Sequence, residues 1–152
     1  MCFLLSEVTS VDWLLSRKSC IGYTIAYAPG RRRLIRMSLQ EIVVMIHDGE
    51  YGRAIASLEF AVKDESKPPQ TRVEYCKWLA ECNHRLEDHQ EAGNWYIEAV
   101  RIILASPADN GSKAKQALPL CNKALEAYEK GGDSVDVLVA ARVKQHLVGL
   151  SK

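Results

Sequence analysis

The stretch that decides the fold reads Tyr51-Gly-Arg-Ala-Ile-Ala-Ser-Leu-Glu-Phe-Ala-Val62, and its pattern returns as His89-Gln-Glu-Ala-Gly-Asn-Trp-Tyr-Ile-Glu-Ala-Val100. The two stretches align at an offset of 38 residues without a gap, so that Ala54 falls on Ala92, and a large residue follows each alanine four positions later. A small residue one turn from a large one lets a second helix pack closely against the first. This self-similarity predicts repeated antiparallel helical hairpins.

Helical periodicity extends outward from these stretches and predicts six helices, arranged as hairpins over 38–65, 69–105 and 112–148. Ser38 and Glu41 form a capping-box pattern at the start of the first helix, and Gly49 is expected to end it. Pro119 is expected to kink or interrupt the fifth helix. The sixth helix is apolar almost all round, and its apolar residues include Val137, Leu138, Ala141 and Leu147.

The pattern Gly49-x-Tyr51-x-x-Ala54-x-x-x-Leu58-x-x-Ala61-Val62 resembles the tetratricopeptide repeat family. The second copy departs from it at the turn, where Glu87 and His89 replace glycine and tyrosine, and the spacing of 38 residues exceeds the usual 34. The resemblance covers 37–105 well, 112–148 weakly and 1–36 not at all. It implies an all-α fold whose hairpins stack as a short right-handed superhelix, with a generic helical bundle as the alternative.

The same resemblance implies a non-catalytic adaptor or scaffold that binds a peptide or protein segment in a groove formed by the first helices of the hairpins. Carried over by the motif match, we expect an apolar anchor of the partner near Val43 and an acidic group near Lys77 and Arg85. The predicted groove residues are Leu39, Val43, His47, Lys77, Glu81, His84 and Arg85.

The first 36 residues differ from the rest in charge and pattern. They carry six basic and two acidic residues, whereas 37–152 carry 14 basic and 17 acidic residues. The stretches 23–27 and 32–37 flank a turn signal and predict a small β-hairpin, or else an extended segment. One alternative is that Met37 is the physiological start. The basic arm consists of Arg31, Arg32, Arg33 and Arg36.

The basic arm has two interpretations. A run of like charges is usually a solvated face, and we favour that interpretation. The alternative function is a regulatory or assembly subunit of a nucleic-acid-associated complex, with the arm on phosphate. Salt dependence of binding separates the two, because phosphate contacts give a steep slope.

Composition limits the classes of protein that fit. The chain has 152 residues, 47% hydrophobic and 26% charged, which suits one globular repeat domain over 37–152. Lysine and arginine number 20 against 19 acidic residues, and this balance makes a dedicated nucleic-acid binder unexpected. The five cysteines are odd in number and form no C-x-x-C, which favours reduced thiols and a cytoplasmic location. No stretch is apolar enough to predict a membrane span.

Catalytic and metal-binding patterns are weak. No glycine-rich phosphate loop and no G-x-S-x-G occur, and nothing in the sequence brings His47, Asp48 and Ser57 together as a triad. The only candidate metal ligands that the sequence offers together are Cys82, His84 and His89. Cys82 and His84 are two residues apart on a predicted helix, so their side chains diverge by about 200° and cannot both face one metal ion. We therefore expect no enzyme activity, no metal and no cofactor. The apolar sixth helix predicts a homodimer or a folded-back N-terminus.

Overall fold

The computed structural model describes residues 37–151, and this part of the chain is all-helical, with no strand. The six helices are α1 (Leu39–His47), α2 (Tyr51–Val62), α3 (Pro69–Arg85), α4 (His89–Ala105), α5 (Asn110–Gly131) and α6 (Ser134–Leu150). The prediction of an all-α fold is confirmed. The predicted N-terminal hairpin and the basic arm of Arg31, Arg32, Arg33 and Arg36 lie outside the described residues.

Helix boundaries follow local chemistry. The predicted capping box at α1 is confirmed, since the Ser38 side chain accepts from the backbone N–H of Glu41 while the Glu41 carboxylate accepts from the backbone N–H of Ser38. Gly49 follows the end of α1 with a φ of 79°, a left-handed conformation that glycine adopts without a steric cost. Gly132 ends α5 in the same way, with a φ of 76°.

Each helix packs mainly against the helices that precede and follow it in the chain. The contact between α4 and α5, which belong to neighbouring pairs, is the most extensive, and the contact between α1 and α2 is the smallest of these. Within residues 37–151, the substantial contacts between helices therefore follow chain order.

The core explains why the repeated stretch carries small residues. Ala54 and Ala92 are fully buried, and so are Ala117 and Ala124 of α5. The matched large residues, Leu58 and Tyr96, are buried beside them. Equivalent positions of α2 and α4 thus face the core with the same phase, as the offset of 38 residues predicts.

The helices depart from the local expectations in detail. Helix α5 runs without a break through Pro119, so the interruption, one of the two alternatives, does not occur. Leu86 follows the end of α3 and is half-exposed. Leu138 is 68% exposed and Ala141 is exposed, while α6 buries Ala140, Val143 and Leu147 instead. Apolar residues surround α6, so the sequence pattern does not define which side is buried. In the structure Ala140 lies against α5, where the Cys121 thiol donates to its carbonyl at 3.3 Å.

Candidate functional site

A cleft of about 340 Å³ lies between α3 and α5, the first helices of the second and third pairs. The C-terminal end of α4 contributes Ile103 and Ser106 to its wall. We call it the α3–α5 cleft. It is lined by Pro69, Gln70, Val73, Glu74, Lys77, Ile103, Ser106, Lys115, Gln116, Pro119 and Leu120.

The cleft is built from residues at helical spacing. Val73 and Lys77 are one turn apart on α3, and Gln116 and Leu120 are one turn apart on α5. Val73, Leu120 and Ile103 are buried and form an apolar base. Polar side chains from both helices surround this base, which is the arrangement that small binding sites commonly show.

Two lysines stand at the cleft. The Lys77 ammonium lies 2.6 Å from Oε1 of Glu74, one turn earlier on α3. Lys115 is exposed and forms no ion pair with any residue in 37–151. Lys115 therefore leaves a positive charge at the cleft that no described carboxylate neutralises.

Pro119 adds a backbone feature to the same wall. Proline has no N–H, so the carbonyl of Lys115, four residues earlier, lacks its usual helical donor. Both residues line the cleft. The wall formed by α5 therefore combines a cation with a carbonyl that has lost its i+4 partner.

The groove residues predicted from the sequence lie in three places: the cleft, the later part of α3, and α1. Lys77 lines the α3–α5 cleft. Glu81 and Arg85 lie further along α3 and form an ion pair of 3.0 Å between Nε and Oε1. On α1, Leu39 and Val43 are half-buried and His47 is exposed, and none of the three lines the cleft.

His84 lies at the end of α3, where it meets two aromatic rings. Its Nδ1 is 3.1 Å from Nδ1 of His89, a distance at which one ring donates and the other accepts. The His84 ring centroid is also 6.1 Å from that of Tyr96. His84 is thus held by α4 at the turn that joins the two helices.

The electrostatic surroundings of His84 come from three helices. Burial lowers the pKa of His84, and the charges of His89 and Lys130 lower it further. Glu81 and Glu126 act in the opposite direction. The neutral imidazole is the form that this environment favours.

The side chains of Cys82, His84 and His89, considered above as metal ligands, do not come together at one point. Cys82 is fully buried, and burial raises the pKa of its thiol to about 11. His84 and His89 meet without it. Within residues 37–151, no group of three or more histidine, cysteine, aspartate or glutamate side chains is arranged to hold a metal ion.

Sequence reasoning missed the contribution of α5 to the cleft. Lys115, Gln116, Pro119 and Leu120 all line it, yet the third hairpin retains little of the repeat pattern. One signal in the sequence could have indicated them. Pro119 lies inside a predicted helix, one turn after Lys115, and a proline there destabilises the helix, so its presence suggests a role other than helix stability.

Comparison with protein-family models, with curated proteins and with solved structures gives no match to this chain. None of the helices in the described part of the chain combines the length and apolar character needed to cross a bilayer.

Proposed function

We propose that this chain is a non-catalytic interaction module, an adaptor or scaffold whose helical pairs stack as a short tetratricopeptide-like superhelix. It binds a peptide or protein segment in the groove along the first helices, α1, α3 and α5. The single observation that carries the proposal is the α3–α5 cleft, because an apolar base with a polar rim between two first helices suits a side chain of a partner.

The chemistry of the cleft indicates what it binds. An apolar anchor of the partner fits between Val73 and Leu120, beside Ile103. An acidic group fits Lys115, which has no described ion pair, with Lys77 as the second cation. Leu39, Val43 and His47 on α1 extend the groove toward the N-terminal end.

The state of the cysteines supports a proposal about the cellular compartment. The described core contains three buried free thiols and no disulfide among them: Cys76, Cys82 and Cys121. Free thiols are typical of proteins in a reducing compartment. We propose a cytoplasmic location.

The test begins with a pull-down from native lysate, which supplies a partner segment for titration. The double variant Lys77→Glu, Lys115→Glu should weaken its binding by tenfold or more while circular dichroism stays unchanged, because reversing interfacial charge can cost about 2–5 kcal/mol. Arg101→Glu is the matched control, since Arg101 pairs with Glu98 at the same i,i+3 spacing but lies outside the cleft.

Two results would contradict the proposal. Full affinity in the double variant would remove the cleft as the binding site. A steep fall of affinity with salt that the double variant leaves unchanged would favour the nucleic-acid-associated alternative, with Arg31, Arg32 and Arg33 on phosphate.

A further inference from the structure

Among the helices of residues 37–151, the first and the last each have one substantial neighbour: α1 packs against α2, and α6 packs against α5. Every helix between them has a neighbour before and after it. The terminal helices of a repeat array usually present a polar outer face. Exposed apolar residues on the outer face of α1 or α6 would therefore indicate a surface that contacts a partner.

The outer face of α1 combines an apolar residue with acids. Its exposed positions recur every three or four residues and include Glu41, Val44 and Asp48, and Val44 is 58% exposed. No lysine or arginine occurs between Ser38 and Gly52. We call this surface, formed by Glu41, Val44 and Asp48, the α1 end face.

The outer face of α6 combines apolar residues with cations. Leu138 and Val148 are exposed, and so are Arg142 and Lys144. No acid follows Asp136 in this helix. We call the exposed half of α6 the α6 end face: Leu138 and Val148 lie along its middle, and Arg142 and Lys144, two residues apart, lie on its opposite flanks.

The cations of the α6 end face also differ from those inside the array. All the described ion pairs lie between Glu50 and Lys130. Within residues 37–151, Arg142 and Lys144 have no acidic partner. Exposed apolar side chains beside unneutralised charge indicate a surface that meets a partner of opposite charge.

We propose that the α6 end face of one molecule binds the α1 end face of a second copy, head to tail. The proposal goes beyond peptide binding in the groove, because it uses the two ends of the array. Charge complementarity selects this occupant: the cations beside Leu138 meet the acids beside Val44, and the two apolar residues lose water together.

Other occupants of the α6 end face match its charge less well. A symmetric pairing of two α6 end faces brings the cations of one copy against the same cations of the other. Residues 1–36 carry six basic against two acidic residues and match the α6 end face poorly; their covering the acidic α1 end face instead is the competing outcome, in which the mass stays at one chain. A head-to-tail contact uses two different surfaces, so it extends into a chain of molecules or closes into a ring.

The first measurement is the mass of the full-length wild-type protein in solution. Light scattering should show a mass that rises with protein concentration above the 17.0 kDa of one chain. The rise should weaken between about 0.1 M and about 1 M NaCl, as the Debye length falls from about 10 Å to about 3 Å. A constant mass of one chain across the concentration series would overturn the proposal.

The second measurement distinguishes head-to-tail from symmetric association. Val44→Arg disables the α1 end face, and Leu138→Asp disables the α6 end face. Each variant alone should stay at one chain, and mixing them should restore a species of at least twice 17.0 kDa, because each retains the face that the other has lost. Leu86→Asp, at an exposed apolar residue on neither end face, is the matched control and should associate as the wild type does.

Several outcomes would overturn the proposal. Association of Val44→Arg alone, with loss in Leu138→Asp, would show a symmetric contact through α6. Wild-type association in both variants would show that neither end face is used. A mixture that stays at one chain, with circular dichroism unchanged in both variants, would show that the two end faces do not bind each other.

Discussion

A Cβ atom added to Gly93 on α4 would lie 2.5 Å from Cε1 of Tyr128 on α5. The absence of a side chain therefore lets the Tyr128 ring lie directly against the α4 backbone. The ring has little freedom to move aside, because it is buried and its hydroxyl donates to Oδ1 of Asn94 at 2.9 Å. This contact fixes how closely the second and third helical pairs approach each other.

Gly93→Ala should therefore destabilise the protein. Alanine favours a helix by about 1 kcal/mol over glycine, but overpacking costs about 1–3 kcal/mol, and we expect a net loss of up to about 2 kcal/mol. Urea unfolding measures it. Gly52→Ala on α2 is the control: a Cβ there meets nothing within 4 Å, so that variant should be neutral or slightly more stable. A Gly93→Ala protein as stable as Gly52→Ala would show that the ring can move.

The small repeated positions should not accept large side chains. Ala92 is fully buried between helices, so Ala92→Leu should lower the free energy of unfolding by about 1–3 kcal/mol or more. Ala56→Leu is the matched control, since Ala56 is exposed on α2 and leucine is also a good helix former. Chemical denaturation of the two variants should separate them clearly. Equal stability would mean that the tight helix packing inferred from the repeat is absent.

The protein should become less stable as the pH is lowered, because folding disfavours protonation of His84. Its pKa is lower in the folded state than its ordinary 6.5, so the unfolded chain binds the proton first as the pH falls. The contribution of the neutral imidazole is fully present above about pH 7 and is lost as the pH falls below about 6.5. Urea titrations across this range should give a shallower pH dependence for His84→Gln than for the wild type.

His89→Gln provides a second test of the histidine pair. It removes a neighbour that lowers the pKa of His84, so the pH dependence of stability should again be shallower than in the wild type. Identical slopes for the wild type and both variants would show that the pair does not affect folding.

The buried cysteines should resist thiol reagents while the protein is folded. Burial raises the pKa of Cys76 to about 12 and that of Cys121 to about 11, so at pH 8 only about one thiol in a thousand or fewer is a thiolate. In a variant with Cys2 and Cys20 replaced by serine, three cysteines remain. Labelling followed by mass spectrometry should be at least a hundredfold slower in buffer than in denaturant. Rapid labelling of the folded variant would contradict the packing of α3 and α5.

The sequence predicts this fold best where its signals are local. Ser38 with Glu41 and the left-handed Gly49 mark the limits of α1 through contacts within a few residues, and Ala54 and Ala92 repeat the same packing requirement. The contact of Gly93 with Tyr128 joins residues far apart in the chain, which a periodic pattern does not encode. The sequence does not define which side of α6 is buried for a related reason, since an all-round apolar helix faces whichever way its neighbour requires.

The candidate site follows the same division. Lys77 could be placed in the groove because it lies on a helix that retains the repeat pattern. The wall supplied by α5 could not, because Lys115 and Pro119 belong to the hairpin that has lost it. Which helices come together at a cleft depends on how the helices pack against one another, not on the pattern of either helix alone.

The extent of the contacts between consecutive helices also determines where the described part of the chain unfolds locally most easily. Helix α1 has the smallest contact with the rest of the array, and α4 and α5 share the largest. Among the described helices, local unfolding therefore requires the least free energy in α1 and the most at the α4–α5 junction. Amide hydrogen exchange should be fastest in α1 and slowest around Gly93 and Tyr128, so that the array frays from its end while its centre keeps the native structure.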